Sequence, residues 1–458
     1  MTDERTLLVG VDLCEDYSQI TCFSTVSFEP ESVCINGDSE KYLVPTALYY
    51  NKETTEWLFG EEAKSQDKKT KGVLINNLLE RASKEAEVNI GGRFYKPEEL
   101  LERYLKRLLG LLKIEYPNNT IRKLVVTVKE KNMVLIQNIY TALQNLGISK
   151  VRASVENHEQ SFVQYAMNQP KELRVNDVAL FDFDESGLMY YQISINRRTS
   201  PHSILLKKKD FRETLSYDML EDELSRENAS YVFESIALNV LHKQIIGTIY
   251  VTGKGFQGSW CRRVLKNLCI GRRVFVGQNL YAKGAGYGAR EKIGEGKLKE
   301  YLYLGEETVR VNVSMPLYTN SQKVQYPLVT AGAVWYNATK VISFIPDNEL
   351  EVELIIENAI NHQETRHFIT MEGLHQLARR TRIELSVEFM DVNTMVVTLR
   401  DKGFGDLYPS SNRVWEKMIQ ISEHITGIKN ETSALSFNTS TPVWKEVEMK
   451  KEELEKER

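Results

Sequence analysis

Two stretches decide how this chain is read: LLVGVDLCEDYSQI at Leu7–Ile20 and ALFDFDESGLMYYQISI at Ala179–Ile195. Each is an apolar run, a short acidic turn and a second apolar run, the pattern of two buried strands joined as a hairpin. The first predicts strands over Thr6–Asp12 and Ser18–Thr25 around the polar turn Leu13–Tyr17. The second predicts strands over Val178–Phe183 and Leu188–Ile195 around the acidic turn Asp184–Gly187.

The same order of elements extends outward from both hairpins. After the first, Val44–Tyr49 reads as a third strand. Leu100, Leu101, Tyr104, Leu105, Leu108, Leu111 and Leu112 then form an apolar stripe at helical spacing over Pro97–Lys113. Pro97 and two glutamates open that helix, where a missing N–H and negative charge are both favourable. Lys123–Val128 (strand), Met133–Leu146 (helix), Lys150–Val155 (strand) and Glu159–Met167 (helix) complete the first series. After the second hairpin come a strand at Ser203–Lys208, a long helix at Arg226–Gln244 and a strand at Gly247–Thr252. A helix at Gly258–Leu268, a strand at Arg273–Val276 and a helix at Asn279–Arg290 close the second series. The order βββαβαβα thus occurs twice without sequence identity, which predicts two related α/β lobes with each hairpin turn facing the cleft between them. An α/β domain of another kind fits the same elements.

Bulk properties exclude several classes. At 458 residues the chain is long enough for two to four domains. Its 59 basic and 63 acidic residues leave a net charge of −4, so there is no global positive field for nucleic acid or an anionic membrane. The densest basic cluster, Lys207-Lys208-Lys209, reads as a solvated strand end. Met1–Gly10 lacks the pattern of an export signal, and no apolar stretch is long enough to span a bilayer. Cys14, Cys22, Cys34, Cys261 and Cys269 are odd in number and show no CxxC spacing. They read as reduced thiols of a cytoplasmic protein, not as zinc ligands or a disulfide framework. No HExxH or HxH supports metal hydrolysis.

The linear motifs narrow the fold. LLVGVDLCEDYSQI resembles the first phosphate-loop hairpin of Hsp70 proteins, and VPTALYY (Val44–Tyr50) and FGEEAKSQ (Phe59–Gln66) resemble the next landmarks in order. KPEELLERYLKRLLGLL, KLVVTVKE and VENHEQSFVQYA are similar to the family's next helix, its valine-threonine-valine strand and its connecting helix. ALFDFDESGLMYYQISI occupies the second phosphate loop, YVTGKGF the adenosine turn, and NLYAKGAGYGA resembles the closing small-residue helix. HFITMEGLHQLARRTRIELSVEFMDVNTMVVTLRDKGFG (His367–Gly405) is similar to the β-sandwich substrate domain, with Ile383, Leu385, Val387 and Phe389 alternating as half-buried strands do. The resemblance covers residues 5–290 and part of the C-terminal region, and it rests on the order of many weak motifs. It implies a divergent bacterial Hsp70-like protein: a duplicated actin-like (ribonuclease H-like) two-lobed nucleotide-binding fold followed by a β-sandwich-like domain. The expected divisions are lobe I at 1–170, lobe II at 171–297, a β-rich domain at 298–430 and a charged tail at 431–458.

The same resemblance implies a site for ATP and Mg²⁺. Asp12 and Asp182 fall at the metal-positioning aspartates, and Cys14, Glu156, Gly187, Gly253 and Gly255 fall at nucleotide-binding positions. For both aspartates a structural strand-end turn is the competing reading, and Asn157 competes with Glu156 for the connecting-helix position. The phosphate loops depart from the family: the first carries Cys14, Glu15 and Asp16, and the second, from Asp182 to Gly187, keeps a single glycine. Extra carboxylates oppose a triphosphate by roughly 1–4 kcal/mol per close pair, and loss of glycine hinders backbone approach to phosphate. The family's catalytic lysine falls near Glu80-Arg81, where only Arg81 is basic. Thr252–Gly258 also satisfies GxGxxG, but Gly271–Gln278 lacks the acid that dinucleotide binding expects. Gly284, Gly286 and Gly288 read as helix-packing positions. The family's second-lobe insertion is reduced to about Pro201–Gly247, so the base is expected to be gripped from one side only.

Three functions compete on this reading: an inactive or very slow polypeptide-binding scaffold, an active ATP-dependent chaperone, and a filament-forming actin-like protein. The C-terminal domain is expected to bind a polypeptide client or protein partner by strand addition, because it carries no nucleophile or metal cluster. Only Asn412–Thr426 and the charged tail are left to form a lid, and the tail's Glu446–Lys450 and Glu452–Lys456 spacings suit a solvated helix over Trp444–Arg458.

Overall fold

The computed structural model describes residues 6–23, 27–35, 41–66, 72–319, 321–347, 351–374 and 381–421. It is a mixed α/β chain with several sheets. It divides into two units, Met1–Thr308 and Val309–Arg458.

The first unit holds two six-stranded sheets. One contains β1 (Thr6–Leu13), β2 (Tyr17–Phe23), β3 (Pro30–Ser32), β4 (Val44–Pro45), β5 (Thr120–Val128) and β6 (Ala153–Asn157). β1 pairs antiparallel with β2 and parallel with β5, and β5 pairs parallel with β6. Helices α1 (Pro97–Gly110) and α2 (Met133–Asn145) bury Leu101, Leu105, Ile139 and Leu143 in one core with Val9, Val11, Leu124 and Val126. α1 begins as its sequence dictates, with Pro97 in the first turn and the Glu99 carboxylate accepting from the Lys96 N–H.

The second sheet contains β7 (Asp177–Asp184), β8 (Gly187–Asn196), β9 (His202–Phe211), β10 (Ile246–Thr252), β11 (Arg273–Val276) and β12 (Tyr301–Leu304). β7 pairs antiparallel with β8 and parallel with β10, and β10 pairs parallel with β11, so the order around the central strand repeats. Asp12 stands beside Thr127 in the first sheet, and Asp182 stands beside Thr252 in the second. α4 (Glu223–Leu241) starts at Asp222, whose carboxylate accepts from the Ser225 N–H.

Two helices lie where the sheets meet. α3 (His158–Asn168) follows β6 yet buries Phe162, Val163, Ala166 and Met167 in a core with Val178, Leu180 and Tyr250 of the second sheet. A short helix α5 (Arg262–Leu268) precedes α6 (Leu280–Lys292), which crosses back onto the first sheet through glycine. A Cβ on Gly10 would lie 2.3 Å from the Gly286 nitrogen, and one on Gly284 would lie 2.0 Å from the Ser161 carbonyl oxygen.

Several expectations need correction. The third strand of the first sheet is Pro30–Ser32, not Val44–Tyr49. Val44–Pro45 pairs with β2 over two residues only, because β2 itself begins at Tyr17, and the Thr46 N–H closes the pairing on the Asp16 carbonyl. Leu48–Asn51 then leaves for a separate sheet with Trp57–Phe59 and Gly72–Ile75. The two units divide after Thr308, and β12 joins the second sheet by pairing parallel with β9 in register His202↔Tyr301.

The second unit contains two four-stranded antiparallel sheets. β13 (Val311–Thr319), β14 (Gln322–Val329), β16 (Glu351–Asn358) and β17 (Glu364–Thr370) form one, in the order β14-β13-β16-β17. β15 (Lys340–Phe344), β18 (Ile383–Phe389), β19 (Thr394–Asp401) and β20 (Val414–Gln420) form the other in that order. Val311, Val313, Leu354 and Ile356 share one core with Ile383, Leu385, Val387, Val397 and Leu399, the alternation seen in the sequence. The segment expected to supply a short lid is strand β20 over Val414–Gln420. Residues 422–426 of that segment, and the tail from Trp444 to Arg458, lie outside the described residues.

Gly284→Ala should destabilise the chain by about 3 kcal/mol in urea unfolding, because the added methyl meets backbone rather than a flexible side chain. Gly110→Ala, with nothing within 4 Å of its Cβ, should instead be neutral or stabilise by up to about 1 kcal/mol. Equal effects would reject the backbone-contact account.

Candidate functional site

β1 and β7 carry Asp12 and Asp182 into the region where the two sheets meet, and both carboxylates are buried, at 5% and 6% exposure. In the first sheet Asp12 sits in a row of four side chains paired across neighbouring strands: Gln19, Asp12, Thr127 and Glu156. All four are buried.

The two aspartates are joined by a continuous chain of contacts. His158, the first residue of α3, places Nε2 2.8 Å from Asp12 Oδ1. The Asn157 side chain caps this helix by accepting from the Gln160 N–H. The imidazole stacks on the Tyr281 ring at 3.7 Å between centroids and 13° between planes. The Tyr281 hydroxyl, from the first turn of α6, donates to Asp182 Oδ2 at 2.6 Å. On the other side, the Cys14 thiol donates to Asp12 Oδ1 at 3.3 Å and lies 3.7 Å from His158 Nε2. Burial, then the charge of Asp12, pushes that thiol well above its ordinary pKa.

Two lysines hold the acidic loops. Lys129, just after β5, pairs with Asp184 at 2.5 Å and also reaches the Ser186 hydroxyl. Lys254 pairs with Asp16 and, at 3.4 Å, with Glu185, while its ammonium sits 4.3 Å over the Tyr17 ring. Glu15 turns away to accept from the Glu80 N–H at 3.0 Å, and burial pushes its carboxyl up to about 7.

The other sequence-derived positions have structural partners. Glu156 pairs with Lys292 at 2.9 Å, and Asn157 is the cap of α3. Gly187 has φ +103° and backs onto the Arg212 backbone, as a hairpin turn requires. Gly253, at φ +97°, and Gly255 let the 253–256 turn lie against Phe183, with a Cβ on Gly253 only 2.2 Å from the Phe183 carbonyl oxygen. Arg81 donates to Asn77 within its own helix. A cavity of about 950 Å³ opens beside this turn, lined by Tyr217, Glu223, Arg226, Ser230, Trp260 and Arg263. Its walls come from α4 and from the turn.

The donors beside Asp12 are an imidazole and a thiol, which do not fit the all-oxygen shell that Mg²⁺ takes with a triphosphate. Asp12 is engaged by His158 and Cys14, Asp182 by Tyr281, and the loop carboxylates by lysines of the chain itself. His158, Tyr281, Lys129 and Lys254 were not among the residues the sequence pointed to. Their signal was present only as position: Lys129 and His158 each follow directly on a strand of the first sheet.

Residues 29–306 match the model described as "Family of unknown function (DUF5716) C-terminal". The chain belongs to the DUF5716 family. Residues 308–421 match a second model, "Domain of unknown function (DUF8552)", so this DUF5716 protein changes family at the same place where its two units divide. No curated protein matches it.

Burial, then the neighbouring Asp184, pushes the Asp182 carboxyl from 3.8 up to about 6, against the opposing pull of Lys129, His158 and the Tyr281 hydroxyl. Between about pH 4 and pH 6 the folded chain therefore holds a proton that the unfolded chain has lost, and stability from this group falls as pH rises through that window. Asp182→Asn should be more stable than the parent at pH 7, by about 1–3 kcal/mol, with the gap closing by pH 4. Urea unfolding across that pH range reads the difference, and a variant no more stable at pH 7 would refute the assignment.

Proposed function

We propose that the first unit is a catalytically silent, duplicated actin-like (ribonuclease H-like) module, Hsp70-like in plan, and that the protein is a polypeptide-binding scaffold. The repeated strand order and the Asp–Thr pair in each sheet support common descent of the two lobes. The observation that carries silence is the buried chain Asp12–His158–Tyr281–Asp182, which joins the two aspartates through the protein's own side chains. Electrostatic catalysis of phosphoryl transfer needs free ligands and donors aimed at the phosphates. Here Asp12 faces a thiol and an imidazole, Asp182 faces a hydroxyl, and the loop lysines are taken up by carboxylates. Five free thiols support a reducing, cytoplasmic setting.

Calorimetric titration of the full chain with Mg-ATP should give no saturable heat up to about 1 mM, an affinity limit near −4 kcal/mol. Phosphate release should stay at the buffer rate. Steady release that Asp12→Asn or Asp182→Asn abolishes would establish the active-chaperone alternative instead.

The second unit supplies the binding surface in this reading. The β17 and β20 edges approach each other, with Lys417 Nζ donating to the Phe368 carbonyl at 2.7 Å. β15 is left at the outer edge of its sheet, with Val341 60% exposed and Ile345, just beyond it, 58% exposed. An extended apolar peptide pairs there by main-chain hydrogen bonds, while alternate side chains give selectivity. Hydrogen exchange on the full chain with such peptides should show protection confined to residues 340–345. No protection at millimolar peptide, or protection elsewhere, would remove this assignment.

A further inference from the structure

We infer that Asp12, Cys14 and His158 form an exchangeable inner-sphere site for a divalent transition metal of the zinc class. One potential donor atom from each of the three lies within 4.8 Å of the others. The separations are 3.3 Å for Cys14 Sγ to Asp12 Oδ1, 3.7 Å for Cys14 Sγ to His158 Nε2 and 2.8 Å for His158 Nε2 to Asp12 Oδ1. Zinc bond lengths of about 2.0–2.3 Å at tetrahedral angles require donor separations of roughly 3.3–3.6 Å. Shifts of up to about half an ångström, the largest between Asp12 and His158, therefore convert the hydrogen-bonded triangle into three metal bonds. A thiolate with an imidazole selects zinc or cobalt over magnesium and calcium, which prefer all-oxygen shells.

A second observation points to the same place. Thr127 and Gln19 flank Asp12 on the neighbouring strands, 0% and 6% exposed. Thr127 Oγ1 and Gln19 Oε1 are both buried without a hydrogen-bond partner. Three protein ligands leave a fourth position open, and a metal-bound water there gives these oxygens a partner. Asp12 and His158 are buried while Cys14 is half-buried, so the metal enters and leaves past the thiol. His158 Nδ1 lacks the carbonyl or carboxylate acceptor that typically fixes a structural zinc histidine, which makes the site exchangeable rather than structural. On binding, the metal replaces the thiol proton, which passes to solvent.

The site is tested without nucleotide, so its outcome is separate from that of the ATP titration. Chelator-treated full-length chain is titrated with cobalt(II), and thiolate-to-cobalt charge-transfer absorption is followed. One equivalent should saturate the band, and zinc should displace it while excess magnesium does not. Cys14→Ser should abolish the band and His158→Gln should weaken binding, each with unchanged far-ultraviolet circular dichroism. Cys34→Ser, which alters another half-buried thiol outside the triangle, should keep the full band. Absence of a one-equivalent band in the parent chain, its persistence in Cys14→Ser, or its displacement by magnesium would each overturn the inference.

Discussion

Backbone meets backbone where α6 crosses the first sheet, and the rest of the first unit depends on that approach. Gly10, Gly284 and Gly286 leave no side chain between helix, strand and α3. α6 follows β11 of the second sheet in sequence but rests on the first, whereas α3 follows the first and packs into the core of the second. This exchange of helices ties the two sheets by dense packing, in which even one methyl group is felt. It also sets the distance between the helix starts, which is why the rings of His158 and Tyr281 can stack.

The electrostatics follow from that geometry. Two carboxylates buried this deeply would each cost several kcal/mol if left unpaired. Asp12 is met by an imidazole and a thiol. Asp182 is met by a hydroxyl and answers by holding its proton to about pH 6. Of the remaining acids of the two turns, Glu15 accepts from the Glu80 N–H, and Asp16, Asp184 and Glu185, half-buried or exposed, are met by Lys129 and Lys254. Each lysine reaches from one sheet's loops to the other's, so the ion pairs that offset acidity also cross between the sheets.

Much of the fold was legible because it rests on periodic burial. Both hairpins, the helix from Pro97, the strand ending in Val128 and the alternating strands of the second unit lie near the expected positions. The misses have local causes. The ladder at Val44–Pro45 ends because its partner strand begins at Tyr17, which apolar periodicity alone does not show, and Tyr301–Leu304 is a short strand whose partner, His202–Leu205, lies about a hundred residues away. The site was legible in its acids and glycines but not in the groups that answer them. His158 and Tyr281 meet only because two helices far apart in sequence start side by side, and no spacing rule along one chain reports that. Cys14 was read as a reduced thiol at a nucleotide-binding position, and linear spacing does not report its companions, because Asp12 and His158 come from a neighbouring position and a distant helix.

The two sheets also show how a repeated frame takes on different chemistry. Each places an aspartate beside a threonine, at Asp12–Thr127 and Asp182–Thr252. The residues that face them differ. A helix beginning with histidine gives Asp12 a partner able to donate a proton or to bind a metal, and Cys14 adds a soft donor. A helix whose first turn carries tyrosine gives Asp182 only a hydroxyl donor, and the neighbouring Asp184 raises the cost of ionising it. One aspartate thus stands among groups of metal-ligand chemistry, and the other is held as a neutral or reluctantly ionised acid at the end of a stack. The asymmetry places the chemically adaptable end of the junction at Asp12.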